Sequence, residues 1–131
     1  MTDEISKELE FYIQGAQAAR QMTPRSNRLA RRFFKAAIAA KENFARAHGY
    51  LSYVLLLAHL HGWTQADDAV DSDVTLDRVL NHAKLARQHG PDDYENCWSL
   101  AAACIYSRDF AKGMEAFDEA LDVRDGGHVV A

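Results

Sequence analysis

Apolar residues recur along this chain at intervals of three and four, the period of an α-helix with one face turned inward. Between Asp3 and Met22 the stripe is Ile5, Leu9, Tyr12, Ile13 and Ala16. Thr23-Pro24 then supplies an N-cap and a proline whose fixed φ suits a first helical position. A second helix runs to about Lys41 with Leu29, Phe33, Phe34, Ala37 and Ile38 inward. Asn43 ends it and caps a third helix, from Phe44 to about His61, which Gly62 stops. Asp71, Ser72 and Asp73 offer caps for a fourth, carrying Leu76, Val79, Leu80, Ala83 and Ala86 and closed by Gly90-Pro91. Asp92 with Glu95 three residues on predicts a capping box for a fifth, which continues to about Ser107. Asp109 caps a sixth that ends near Arg124, before Gly126-Gly127. No alternating β-branched run is bounded by hairpin turns, so the prediction is an all-α chain of six main helices.

Short turns make these six helices three antiparallel pairs, and the pairs repeat a residue pattern. In the third, the polar turn Ser107-Arg108-Asp109-Phe110 is followed by Gly113, Phe117 and Ala120. The same ladder of small residue, aromatic and alanine appears as Ala30, Phe34 and Ala37, followed by Ile38, and in a degraded form as Val79, Ala83 and Ala86. Leu51-Ser52 and Leu100-Ala101 are the matching large-then-small pairs on the leading helices. Small residues let two helices approach closely, and the aromatic fills the gap between successive pairs.

These phased marks, covering about residues 8–125, resemble the tetratricopeptide repeat. The resemblance implies a right-handed superhelical array forming one domain over 1–131. Its repeats fall at about 8–43, 44–92 and 93–125, the second carrying an insertion at about 62–75. Trp63 heads that insertion, and Thr64 to Val70 can form an extra helical turn. A second departure from the pattern is the turn from Thr23 to Asn27, longer than usual. Tyr12-Ile13-Gln14-Gly15, the Thr23-Pro24 turn, the run from Phe44 to Tyr53 and Gly62-Trp63 are similar to bacterial repeat arrays attached to class III nucleotide cyclases or winged-helix regulators. These 131 residues contain neither of those attached domains, so neither activity carries over.

Charge and cysteine usage narrow the function. The net charge of −4 conceals eight basic residues against one acidic from Arg20 to Arg46, and fourteen acidic against six basic from Thr64 onward. The basic segment lacks interleaved exposed aromatics and any DNA-reading motif, so it reads as solvated helix faces and not as a nucleic-acid surface. Cys97 and Cys104, seven residues apart on one helix, lie roughly 10 Å apart along its axis, too far for a disulfide. Both read as small buried residues. The polar, acidic N-terminus and the short apolar stretch from Tyr50 to Leu60 predict no signal segment and no membrane partner. The expected location is the cytoplasm.

No motif for catalysis stands out: there is no phosphate loop, no nucleophile elbow and no His-Glu-x-x-His. His59 and His61 point in different directions, and His82 and His89 share a face but stand two turns apart. A metal site would need a histidine from a neighbouring helix, so neither metal nor cofactor is expected. Asp67, Asp68, Asp71 and Asp73 lack the glycine and bidentate glutamate of a calcium loop. The chain reads as a non-enzymatic module.

What the resemblance implies is a concave groove lined by the leading helices. Its positions fall at Tyr12, Ala16 and Arg20, then Arg46, Gly49, Tyr53 and Leu56, then Glu95, Trp98, Ala102 and Tyr106. From these the candidate partner-binding set is Tyr12, Arg20, Arg46, Tyr53, Trp98 and Tyr106, rich in the aromatic and arginine types of binding hot spots. Tyr12, Ala16, Tyr50, Glu95 and Ser99 stand where chaperone-tail binders carry lysines and asparagines, which argues against that ligand. The function expected is a regulatory scaffold holding a protein or peptide in the groove. The alternative is a free-standing sensory module of the cyclase-linked type with a small ligand there, without catalytic activity. Phe110, Met114, Phe117 and Leu121 also leave an apolar edge on the last helix, through which a homodimer would form.

Overall fold

The computed structural model describes residues 5–64 and 74–124. Among them it is all-helical, with α1 Lys7–Ala19, α2 Pro24–Ala40, α3 Ala45–His61, α4 Leu76–His89, α5 Tyr94–Tyr106 and α6 Phe110–Arg124, and without strands. The closest partnerships are α1 with α2, α3 with α4 and α5 with α6. α2 then packs on α3 and α4 on α5, while α1, α3 and α5 also touch in a row. The leading helices therefore share one side of the molecule.

The caps explain most boundaries. Thr23 accepts from Ser26 N while Ser26 Oγ accepts from Thr23 N, both at 3.0 Å, a reciprocal capping box with Pro24 inside it. α3 stops at Gly62, whose φ of 67° is open to glycine without strain. Asp109 Oδ1 accepts from Lys112 N at the start of α6, as its position predicts.

Three expected caps differ. α3 begins after Phe44, which makes no side-chain cap, so Asn43 does not serve there. Thr75 caps α4 through Arg78 N; Asp71, Ser72, Asp73 and the expected helical turn within 64–70 lie, Thr64 apart, outside the described residues. The cap of α5 is Asp93, whose Oδ1 accepts from Glu95 N at 3.0 Å, one residue later than the Asp92 capping box predicts. Pro91 and Asp92 extend the turn, and Asp93 N bonds Gly90 O.

The repeated ladder is the core. Ala30, Phe34 and Ala37 are fully buried, as are Val79, Ala83 and Ala86; on α6 Gly113 and Ala120 are buried but the aromatic of the ladder, Phe117, is only half-buried, and its neighbour Ala116 is buried instead. Gly113 shows why the position is small: a Cβ there would come within 2.7 Å of Ile105 Cγ1 and 3.4 Å of the Ala101 carbonyl. Cys104 is also buried, its thiol pushed up first by burial and then by the Asp109 carboxylate. It is a protonated, inert filler. The Cys97 side chain lies outside the described residues.

Two apolar stripes do not go where periodicity alone sends them. Ile5, Leu9 and Ile13 are 57%, 40% and 38% exposed, because α1 buries Gly15, Ala16, Ala18 and Ala19 instead. Leu29 of α2 is likewise exposed, while Arg31 of the supposedly solvated basic segment is buried. Asn27 accounts for that inversion: its Nδ2 donates to the Val54 carbonyl on α3 at 2.9 Å, and its Oδ1 accepts from Arg31 Nε at 3.0 Å.

Candidate binding groove

Tyr12, Phe34, Phe44, Tyr50 and Tyr53 form a connected aromatic cluster. Phe34 stacks on Tyr50 at 4.6 Å between ring centres, and Tyr12 meets Phe34, Phe44 and Tyr50 at 5.3–6.0 Å. Gly15 makes this contact geometry, since a Cβ there would sit 2.8 Å from Phe34 Cε1. The fully buried ring of α2 thus props the half-buried rings of α1 and α3 from below.

Above this support lies an open trough of about 580 Å³. Tyr12, Ile13, Ala16, Gln17 and Arg20 line it from α1 and its C-cap, Arg46, Gly49, Tyr50 and Tyr53 from α3, and Glu95, Asn96, Trp98 and Ser99 from α5. Gly49 keeps the floor low: a Cβ would meet Asn96 Oδ1 at 2.9 Å. Asn96 itself is buried and donates to the Gly90 carbonyl at 3.0 Å, tying α5 to the end of α4. Tyr53 and Trp98 stand 37% and 41% exposed on the walls.

Of the six residues singled out from the sequence, Tyr12, Arg20, Arg46, Tyr53 and Trp98 come together here, and Tyr106 does not. It lies two turns beyond Trp98, half exposed. Leu56 and Ala102 sit beneath the surface as core. Ile13, Gln17 and Asn96 are lining residues the groove pattern omitted, and Tyr50 and Ser99 entered it only as departures from a chaperone-tail site. Their common signal is sequence position: each is next to, or one turn from, a named groove residue, and helix rotation decides which one shows.

The two arginines have different circumstances. Arg46 Nε donates to Asp93 Oδ2 at 2.9 Å, and that carboxylate also caps α5, so Arg46 is a strut between α3 and α5. The bond to Asp93 and its charge hold the Arg46 guanidinium more firmly protonated than usual. Arg20 is exposed and makes no ion pair among the described residues. Burial raises the pKa of the Tyr12 and Tyr50 hydroxyls, opposed by Arg46 and Arg20 respectively. Both phenols stay protonated at neutral pH.

No family model matches this chain. No curated protein matches it either. Its function has to be read from the groove.

Beside the groove is a histidine contact that linear spacing hid. His48 of α3 is buried against His82 and His89 of α4. Its Nε2 donates to the Glu42 carbonyl at 2.8 Å, a partner that only accepts, so the neutral ring presents an acceptor at Nδ1. His82 Nδ1 donates there at 3.1 Å. The ring centres are 5.3 Å apart, so both nitrogens lie near the line joining them, an edge-to-edge hydrogen bond. With one Nδ1 donating to the other, the pair does not converge on a cation. Among the described residues no group of three or more such side chains is arranged to hold a metal.

Burial, aided by the His89 ring, lowers the His48 pKa against the opposing Glu42 bond. A lowered folded value means the unfolded chain binds the extra proton first as pH falls. The contribution is therefore intact above the unfolded value near 6.5 and is lost as pH drops through it toward the folded one. Melting at about pH 7.5 and about pH 5.5 is expected to show a lower Tm in acid, with a smaller difference in His48→Gln.

Proposed function

We propose that this chain is a non-enzymatic interaction module that holds a peptide segment of a protein partner in the trough. The single observation carrying this reading is the character of the trough: its aromatic walls are exposed and it is open. Soluble proteins seldom leave large apolar side chains exposed in one contiguous patch without a partner for them. Here Ile13, Tyr53 and Trp98 line one trough, with Ile5 and Leu9 continuing its α1 stripe. A closed pocket would favour the small-ligand sensor; an open channel favours a chain. We read the same geometry as a tetratricopeptide-type array, on the strength of the three phased ladders and the row of leading helices.

The test is selection of a random twelve-residue peptide library on the immobilised full chain, with Tyr53→Ala/Trp98→Ala as the comparison bait. Peptides retained by the wild-type chain and lost by a still-helical variant are expected. Retention of the same peptides by both would move binding off the trough.

A second contact belongs to the same proposal. Phe110, Met114 and Leu121 on α6 are 59%, 57% and 45% exposed, and this edge supports self-association. Light scattering is expected to give a mass rising above one chain with concentration and to lose that rise in Met114→Glu. A constant single-chain mass contradicts it.

No helix of the described residues is long and apolar enough to cross a membrane. A cytoplasmic location remains part of the proposal.

A further inference from the structure

The outer face of α2 carries a concavity of about 390 Å³, separate from the trough. Arg25, Arg28 and Arg32 line it around Leu29, and no carboxylate among the described residues does. Arg25 and Arg32 are exposed and make no ion pair among the described residues, and Leu29 is 43% exposed between them. The opposite strip lies on α6. Glu115, Asp118 and Asp122 are exposed there and make no ion pair among the described residues; the ion pairs of α6 go instead through Glu119 to Arg87 and through Lys112 to Asp109. Asp118 lies one turn from both Met114 and Leu121, so the acidic strip borders the exposed apolar edge. In both helices the three charges are spaced three and then four residues apart, two turns or roughly 10 Å of axis.

We infer that α6 docks on the outer face of α2 in a second copy of this chain. Glu115, Asp118 and Asp122 meet the arginines of that copy, while Met114 and Leu121 cover its Leu29. Arg28 has an interaction of its own within the chain, so Arg25 and Arg32 carry the pairing. This contact rests on the self-association reading above and goes beyond it by giving the α6 edge its counterpart. Two α6 edges set against each other would bring acidic strip against acidic strip, and like charges repel across an interface. A basic counterpart removes that conflict, and the chain itself carries one of matching length and spacing. The junction is heterologous, each copy offering two different faces. It uses none of the residues that line the trough.

The experiment measures light-scattering mass against concentration for the full chain, for Arg25→Glu/Arg32→Glu, for Asp118→Lys/Asp122→Lys and for an equimolar mixture of the two variants. All four positions are exposed, so the variants keep the fold, and circular dichroism checks it. Each variant alone is expected to need about tenfold more protein for the same rise in mass at low salt, and the wild-type rise itself shrinks at high salt. The mixture is expected to recover the rise, because each reversed face then meets a reversed counterpart. Wild-type association by Arg25→Glu/Arg32→Glu, or a mixture no better than its components, overturns the α2 assignment while leaving self-association in place. A single-chain mass for the wild type at every concentration overturns both.

Discussion

Phe34→Ala is expected to lower stability by about 3–5 kcal/mol and to weaken peptide binding in whatever folded fraction remains. Phe34 is fully buried, stacks on Tyr50 and lies against Gly15 and Tyr12. Its removal leaves a cavity where α2 meets α1 and α3. Tyr12 and Tyr50, the rings it props, then lose the surface that fixes their rotamers. Chemical denaturation followed by circular dichroism measures the first effect. Phe34→Leu, which keeps most of the volume, is expected to recover over half of the loss. A Phe34→Ala chain within about 1 kcal/mol of wild type would mean the aromatic stack is not central to the core.

Asn27→Leu is expected to cost about 2–4 kcal/mol despite similar size. The leucine removes the donor to the Val54 carbonyl and the acceptor for Arg31 Nε, leaving that guanidinium buried beside an apolar group. The loss is therefore electrostatic, and a second substitution can show it. In Asn27→Leu/Arg31→Met the buried charge is gone, and the double variant is expected to be more stable than Asn27→Leu alone. Strict additivity of the two substitutions would rule out coupling between the side chains.

The helix count, their order and the repeated ladder were legible because small residues at close approaches and caps at turns act locally. Gly113, Thr23-Pro24 and Gly62 each do what their neighbours require. Rotation about the helix axis was less legible. Ile5, Leu9 and Ile13 satisfy an inward period, yet α1 buries its glycine–alanine face, on which Gly15 leaves room for the Phe34 ring. Arg31 has the spacing of a surface residue and is buried because Asn27 supplies a partner that no local pattern marks. In the groove, five of the six singled-out residues met because the leading helices lie side by side. The sixth, Tyr106, lies beyond the end of the trough. The different roles of Arg46 and Arg20 depend on Asp93, forty-seven positions from the strut it forms. The His48–His82 bond joins residues thirty-four apart, which pair spacing within one helix cannot reveal.

The central claim is that the concave trough is where this chain binds. Amide and indole chemical shifts of the labelled full chain, titrated with a peptide from the selection, test it most directly. The account predicts movement at Gln17, Arg20, Gly49, Tyr53, Ser99 and the Trp98 indole, with Arg25 and Arg32 on α2 unmoved. Shifts confined to α2 or to the Phe110–Leu121 edge, with the Trp98 indole fixed, would contradict it.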